Sequence, residues 1–295
     1  GEYHFRAAAC AGALYPVEIY LVCTDIDGLE AGIYHFNPGD FVLRRLRSGD
    51  YRPELAGAAG DNQAIAAAPV TLVLSAIFWR SAWKYQARCY RYCFWDSGTI
   101  LANLLAVAAS EQIPCSVEIG FVDSKLDHLL GLDGAAEAGL CLAPLGRSVA
   151  WAEHAVGRDI PPLNHKIAPL SEDEVDYPAL RQMHAASCLT ADDEIRPWRG
   201  PCPRTPQAEQ QISSWEQPLE RSRALGEVIL KRGSTRRFAR EAITCAELST
   251  VLYHSTRGIP ADFLEGAETS LLDLYLIVNA VEGLEPGAYF FSPAR

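Results

Sequence analysis

Arg6-Ala7-Ala8-Ala9-Cys10-Ala11-Gly12-Ala13-Leu14-Tyr15-Pro16 runs directly into Val17-Glu18-Ile19-Tyr20-Leu21-Val22-Cys23-Thr24. The second half is β-branched and aromatic and reads as a strand. The first half is a loop of small residues, which allow a flat ligand to approach the backbone closely and bond to its N–H groups. Taken alone, such a loop reads equally well as a tight entry to the strand.

This strand, with the turn and second strand after it, recurs further along the chain. Glu18-Ile19-Tyr20-Leu21-Val22 is matched by Asp273-Leu274-Tyr275-Leu276-Ile277, and Asp27-Gly28-Leu29-Glu30 by Glu282-Gly283-Leu284-Glu285. Gly32, Tyr34, Phe36 and Pro38 correspond to Gly287, Tyr289, Phe291 and Pro293, all at one offset of 255 residues. A single apolar strand can match by chance; two strands and their turn in phase indicate an internal repeat. The chain opens on Gly1 rather than Met and reaches Arg295 two strands into the second copy, so a piece of a longer tandem sequence is expected. The expected division is 1–148 as the C-terminal portion of one copy, 149–224 as an arm, and 225–295 as the N-terminal portion of the next. The arm is marked by clustered prolines, from Pro161 to Pro218, and by acidic runs at Glu172–Asp176 and Asp192–Glu194.

Pattern also marks the other elements. Ile33–Phe36, Phe41–Leu46, Ser116–Ile119 and Ala138–Leu145 read as strands, and Pro69–Ile77 as a strand buried on both faces. Ser81–Glu111 reads as one long helix, aromatic all round in its first half and so expected to be buried or partnered. Asp123–Leu130 reads as a helix with Asp123 as N-cap. Leu225–Lys231 and Thr244–Tyr253 read as helices, the latter with a Thr244/Glu247 capping box. Leu274–Val278 and Ala288–Phe291 read as strands.

Composition bounds the function. The 295 residues are 49% hydrophobic and 21% charged with a net charge of −11, an ordinary globular composition that disfavours nucleic acid as a partner. Without an uninterrupted run of 18 apolar residues or an N-terminal signal, no membrane span is expected, and a cytoplasmic location is. The nine cysteines include no CxxC pair; Cys89 and Cys93 share a helix face at i, i+4, but buried thiols are expected rather than a metal site.

Two further segments carry chemistry. Arg232-Gly233-Ser234-Thr235-Arg236-Arg237-Phe238 places guanidiniums and a hydroxyl in one turn between helices, suited to a phosphate or, equally on composition, to a solvated basic loop. Lys84-Tyr85 stands in the aromatic helix.

Together these motifs resemble the nitroreductase superfamily in the form seen in SagB/ThcOx-type FMN-dependent dehydrogenases. R-x-S-x-R-x-F is similar to its phosphate signature, and the Arg6–Pro16 stretch to its R-x-x-P-S-A-G-x-x-x-P loop. Trp79–Tyr85, Tyr90-Arg91-Tyr92, Asp96-Ser97-Gly98 and Ala102–Leu105 resemble its long central helix; Gly120–Asp123 and Pro144–Arg147 resemble its later loops. The resemblance covers about residues 5–148 and 225–293. It implies an α+β fold with a central, mainly antiparallel sheet flanked by helices, in a dimer-like arrangement, as a homodimer or an intramolecular pseudo-dimer. It further implies FMN as cofactor, held by Arg232, Ser234, Arg236 and Arg147 at the phosphate and lined by Arg6, Cys10, Ala11, Gly12, Ala13, Asn103, Gly120 and Phe121. Hydride passes through flavin N5, and in SagB/ThcOx-type enzymes a peptide thiazoline or oxazoline is oxidised to the azole. Lys84 and Tyr85 then stand as the catalytic pair, with a partly desolvated lysine as base; on the residues alone, Lys84 reads equally as a surface lysine and Tyr85 as a core aromatic.

The sequence departs from that pattern at Ala9-Cys10, where the family has Pro-Ser, leaving only a weak thiol donor. The second copy has Gly266–Leu272 ahead of its strand and lacks the loop altogether. One FMN site built from both copies is therefore expected. Competing readings are an NAD(P)H-dependent nitroreductase or quinone reductase, and a degenerate, non-catalytic peptide-binding partner.

Overall fold

Strand β1 (Val17–Cys23) alternates Glu18/Tyr20/Val22 against Val17/Ile19/Leu21 and is central in a five-stranded sheet. In a computed structural model, which describes residues 5–147, 158–163, 169–199, 219, 223–264 and 271–291, the order is β3-β2-β1-β4-β5, with every ladder antiparallel. The other strands are β2 (Gly32–Asn37), β3 (Val42–Ser48), β4 (Val70–Ile77) and β5 (Glu137–Leu145). The apolar run of β4 fits its place between β1 and β5. The expected strand at 116–119 forms only bridges: Glu118 exchanges backbone hydrogen bonds with Leu142, which shields the outer edge of β5.

Helices flank this sheet: α1 (Arg52–Ala58), α2 (Gln63–Ala67), α3 (Trp79–Tyr85), α4 (Cys89–Ser110) and α5 (Asp123–Leu130). The fold is thus α+β. Leu55, Ile65, Leu126, Leu129 and Leu130 from α1, α2 and α5 join Val22, Ile33, Val73 and Leu142 in one core cluster. A second holds Phe78, Ala82, Cys89, Tyr90 and Cys93 with Ala138 and Leu140. The single long helix expected at Ser81–Glu111 is broken: α3 ends at Tyr85, and Gln86 takes φ 52° before α4 begins. The span Trp79–Ser110 is apolar enough to cross a membrane by length and composition alone, with mean hydropathy 1.2. It carries Arg80, Lys84, Arg88, Arg91 and a buried Asp96 and is interrupted at Gln86. Trp83 and Trp95 remain more than half exposed, so the aromatic first half is not buried all round within this chain.

Asp123 begins α5 but does not cap it. The N-cap is Val122, and the Asp123 carboxylate instead accepts the N–H of Leu189 at 2.8 Å. That bond belongs to the segment expected as an arm, which forms α6 (Pro178–Ser187) and α7 (Asp192–Trp198). Leu180 and His184 of α6 are buried against Phe78 and Tyr90, and Ile195 of α7 is 2% exposed.

The chain divides into two units, Gly1–Gly200 and Pro201–Arg295. The second contains α8 (Leu225–Lys231), α9 (Cys245–Thr256) and the hairpin β6 (Leu274–Val278) and β7 (Gly287–Phe291). Thr244 caps α9: its hydroxyl takes the Glu247 N–H, while Glu247 takes the Thr244 N–H. The hairpin reproduces β1–β2 residue for residue at the 255-residue offset: Ile19 pairs with Phe36 as Leu274 pairs with Phe291, and Cys23 with Gly32 as Val278 with Gly287. Tyr34 donates to the Glu30 carbonyl at 2.8 Å, and Tyr289 to that of Glu285 at 2.7 Å.

Candidate active site

The loop before β1 has an unusual backbone. Gly12 takes φ 64°, Ala13 55° and Tyr15 49°. For residues with a Cβ this conformation costs roughly 1–2 kcal/mol each, so surrounding bonds must hold it. From α4, the buried carboxylate of Asp96 accepts the Ala11 N–H at 2.8 Å and the Cys10 thiol at 3.0 Å, and the Thr99 hydroxyl donates to the Ala9 carbonyl. Within the loop, Ala13 N–H reaches the Cys10 carbonyl, and Tyr15 N–H reaches the Cys10 sulfur at 3.0 Å. From α3, Arg80 donates to the Tyr15 carbonyl at 3.2 Å. A small cleft opens beside the loop, bordered by Arg6, Cys10, Tyr15, Asp96 and Ile100.

These bonds define what Cys10 does. Its thiol is given to Asp96, not held free for a ligand, and burial followed by the Asp96 hydrogen bond pushes its pKa up to about 12. The N–H groups of Ala11, Ala13 and Tyr15 are likewise already bonded, the first to Asp96 and the other two to Cys10, which narrows the set free to bond a ring edge. Asp96 falls in the Asp96-Ser97-Gly98 motif of the central helix, but its sequence context assigns it no role at the site. The signal for it in the sequence is a lone carboxylate among apolar and aromatic side chains in the middle of a helix.

Lys84 and Tyr85 meet this loop at Gly12. A Cβ on Gly12 would stand 2.7 Å from the Tyr85 hydroxyl and 2.8 Å from the Lys84 ammonium. The structure therefore brings together the loop and the expected catalytic pair, separated by more than 70 positions in sequence. Tyr85 is half-buried, packed edge-on against Tyr92 at 4.6 Å between centroids. Lys84 is exposed as a residue, where a partly desolvated lysine is expected, and its ammonium at the last turn of α3 lies against the loop at Gly12. Backbone strain gathers here too, since Gln86, directly after the pair, also has positive φ.

The remaining expected ligands are distributed over both units, and among them only Arg6 belongs to the loop segment itself. Arg6 bonds the Val17 carbonyl at 2.5 Å and lies over the Tyr15 ring, so its guanidinium is committed to the strand entry. Asn103 is half-buried on α4, two turns beyond Asp96 on the same helix. Phe121 is 3% exposed within the core, which leaves its backbone alone to meet a ligand, and the Gly120 carbonyl accepts from Arg199 at 3.1 Å. Arg147 is exposed just past β5. In the second unit, Arg232, Ser234 and Arg236 are all exposed on the loop after α8.

The nitroreductase family model matches residues 4–147, which contain the loop, the sheet and the helix pair. "Putative nitroreductase MJ1384" of Methanocaldococcus jannaschii is 32% identical over 149 residues, covering 50% of this chain and 73% of that protein. The microcin B17-processing protein McbC of Escherichia coli is 29% identical over 149 residues, and the trifolitoxin-processing protein TfxB of Rhizobium leguminosarum 28% over 145. Each match covers 48% of this chain, and the chain spans 54% and 39% of those two proteins. The crystal structure of a "putative nitroreductase" from Anabaena variabilis superposes with TM-score 0.70 at 23% identity, over 98% of this chain and 60% of the other, and so shares the fold. On these grounds the chain belongs to the nitroreductase family, a family of oxidoreductases.

Proposed function

We propose that the protein is an FMN-dependent oxidoreductase whose substrate meets the flavin at the Gly12 loop, with Lys84 and Tyr85 handling the substrate proton. The observation that carries this reading is the convergence of the Lys84 ammonium and the Tyr85 hydroxyl on Gly12. Residues 11–13 offer nothing larger than a methyl group, so a planar ring can approach their backbone closely, and the Lys84 and Tyr85 polar groups packed against Gly12 suit the edge of a substrate. When bound, the flavin supplies hydride transfer through N5. The chain's own residues orient the substrate, and the proton that leaves with the hydride goes to Nζ of Lys84 in its neutral amine form or to Oη of Tyr85 in its phenolate form. Removing one hydride and one proton is the balance required to oxidise an azoline to an azole. A peptide substrate is supported by two relatives named for processing microcin B17 and trifolitoxin. In the second unit taken alone, Arg232, Ser234 and Arg236 make a set fit for a phosphate.

The test is a visible spectrum of the purified protein with mass spectrometry of any released chromophore. Flavin bands and a mass matching FMN are expected; a colourless protein that fails to quench added FMN fluorescence overturns the reading. The name of the M. jannaschii relative favours a second reading, a nitroreductase reduced by NAD(P)H. Steady-state turnover of a nitroarene with NADPH, unaffected by Lys84→Ala, would select it.

A further inference from the structure

A buried carboxylate lies behind both walls of this site. Glu18 on β1 is 6% exposed, yet three potentially cationic groups converge on it from three different elements. His35 of β2 approaches Oε2 at 2.5 Å, Arg80 of α3 bonds Oε1, and Arg6 of the loop segment stands 3.7 Å from Oε1. Burial raises the carboxyl pKa, but His35 and Arg80 outweigh it and hold the group below its ordinary value, as an anion. A buried ion cluster of this kind commonly serves only to join strands. Here both guanidiniums also hold the loop: Arg80 bonds the Tyr15 carbonyl, and Arg6, itself in the loop segment, bonds the Val17 carbonyl at the start of β1. Arg80 stands one helical turn before Lys84, on the same short helix that carries Tyr85.

We propose that Glu18 is a positioning residue that fixes α3 and the strained loop to one another, and so sets the Lys84–Tyr85 pair over Gly12. Its importance for catalysis rests on the function proposed above; the mechanical coupling does not. A neutral amide has the size of this carboxylate but cannot balance two guanidiniums in a buried site, so the charge, not the shape, is what couples the elements. The coupling is specific in direction. Among the described residues, Asp96 holds the loop from α4 without a bond to α3, whereas Glu18 reaches both.

Hydrogen–deuterium exchange of the cofactor-free protein tests this. Losing these charge-assisted bonds should speed local opening about tenfold or more. In Glu18→Gln, peptides covering 6–16 and 79–88 are expected to exchange faster together, while those covering β4 and β5 are unchanged. Asp96→Asn is expected to loosen 6–16 alone. Glu18→Asp, which keeps the charge, should restore slow exchange at 79–88. Arg80→Met serves if Glu18→Gln fails to fold, and should loosen 79–88 while leaving β4 and β5 protected. Unchanged exchange in both peptides, an equal increase everywhere, or no rescue by Glu18→Asp would each overturn the proposal. A wild-type protein that binds no FMN but shows this pattern would instead remove the functional reading and keep the coupling.

Discussion

The hydroxyl of Tyr85 lies 2.7 Å from the point a Cβ on Gly12 would occupy, and Gly12 itself sits at φ 64°. Two separate costs therefore fall on Gly12→Ala. The left-handed backbone costs roughly 1–2 kcal/mol for a residue with a Cβ, and the new methyl must displace the Tyr85 hydroxyl and the Lys84 ammonium. A Gly-to-Ala change compatible with its site stabilises by limiting the unfolded chain; here the opposite sign is expected. Calorimetry should show a melting temperature lower by a few degrees, in line with about 1–2 kcal/mol in a unit of this size. FMN titration should show weakened binding. An equal or higher melting temperature with intact flavin binding would contradict the geometry.

Cys10 is expected to be a poor nucleophile despite its half-exposed position. With its thiol pushed up to about 12, the thiolate fraction at pH 8 is on the order of one in ten thousand. Modification by a maleimide, followed by peptide mass spectrometry, should leave the peptide containing Cys10 largely unlabelled. Asp96→Asn removes a hydrogen-bond acceptor and a negative charge that both favour the thiol, so labelling at Cys10 should accelerate. Rapid labelling of the wild type would mean that the Cys10–Asp96 bond does not persist in solution.

Arg47 on β3 is 6% exposed and donates to three carbonyls: Leu129 and Pro161 at 2.8 Å and His128 at 3.2 Å. Two of these end α5, where a cation also meets the negative end of the helix dipole. Arg47→Met fills similar volume but leaves three carbonyls unpaired and frees the Pro161 segment. A loss of about 2–4 kcal/mol is expected, or roughly 5–15 °C in melting temperature. Urea unfolding with an unchanged slope would measure it directly, and a loss below about 0.5 kcal/mol would show that water replaces the arginine without penalty.

The strands are legible in the sequence because their patterns are dense. Val17–Cys23 and Val70–Ile77 are apolar runs of strand length, and the 255-residue repeat carries even the hairpin register. Helices α1 and α2 are not legible, because Leu55 and Ile65 are their only large buried apolar residues; alanine fills most of the remaining buried positions and marks no period. Helix α6 is hidden for a similar reason: Leu180 and His184 are its buried anchors, in a stretch that otherwise reads as a polar arm. At the site, Lys84, Tyr85 and the Gly12 loop are visible as motifs. Their convergence, the role of Asp96 and the Glu18–Arg80 link depend on pairings across 62 to 86 positions, which no local pattern encodes.

Asp127 on α5 links pH to stability. Burial, then the nearby carboxylates of Asp123, Asp133 and Glu137, raise its pKa to about 7, against a bond from the Gly139 N–H at 2.9 Å that lowers it. A folded-state pKa above the unfolded value means that the folded protein holds the proton more tightly. The associated stability is therefore full below about pH 4 and is lost as pH rises from there through about 7. A three-unit shift corresponds to at most about 4 kcal/mol. Asp127→Asn keeps an oxygen for the Gly139 N–H and removes the titration, so its melting temperature should fall less than that of the wild type between pH 5 and 8. Some slope should remain, because Asp123 and Glu137 are also raised by burial. Parallel wild-type and Asp127→Asn curves across that range would show that Asp127 stays ionised in the folded protein and that its carboxylate is better solvated than its 7% exposure implies.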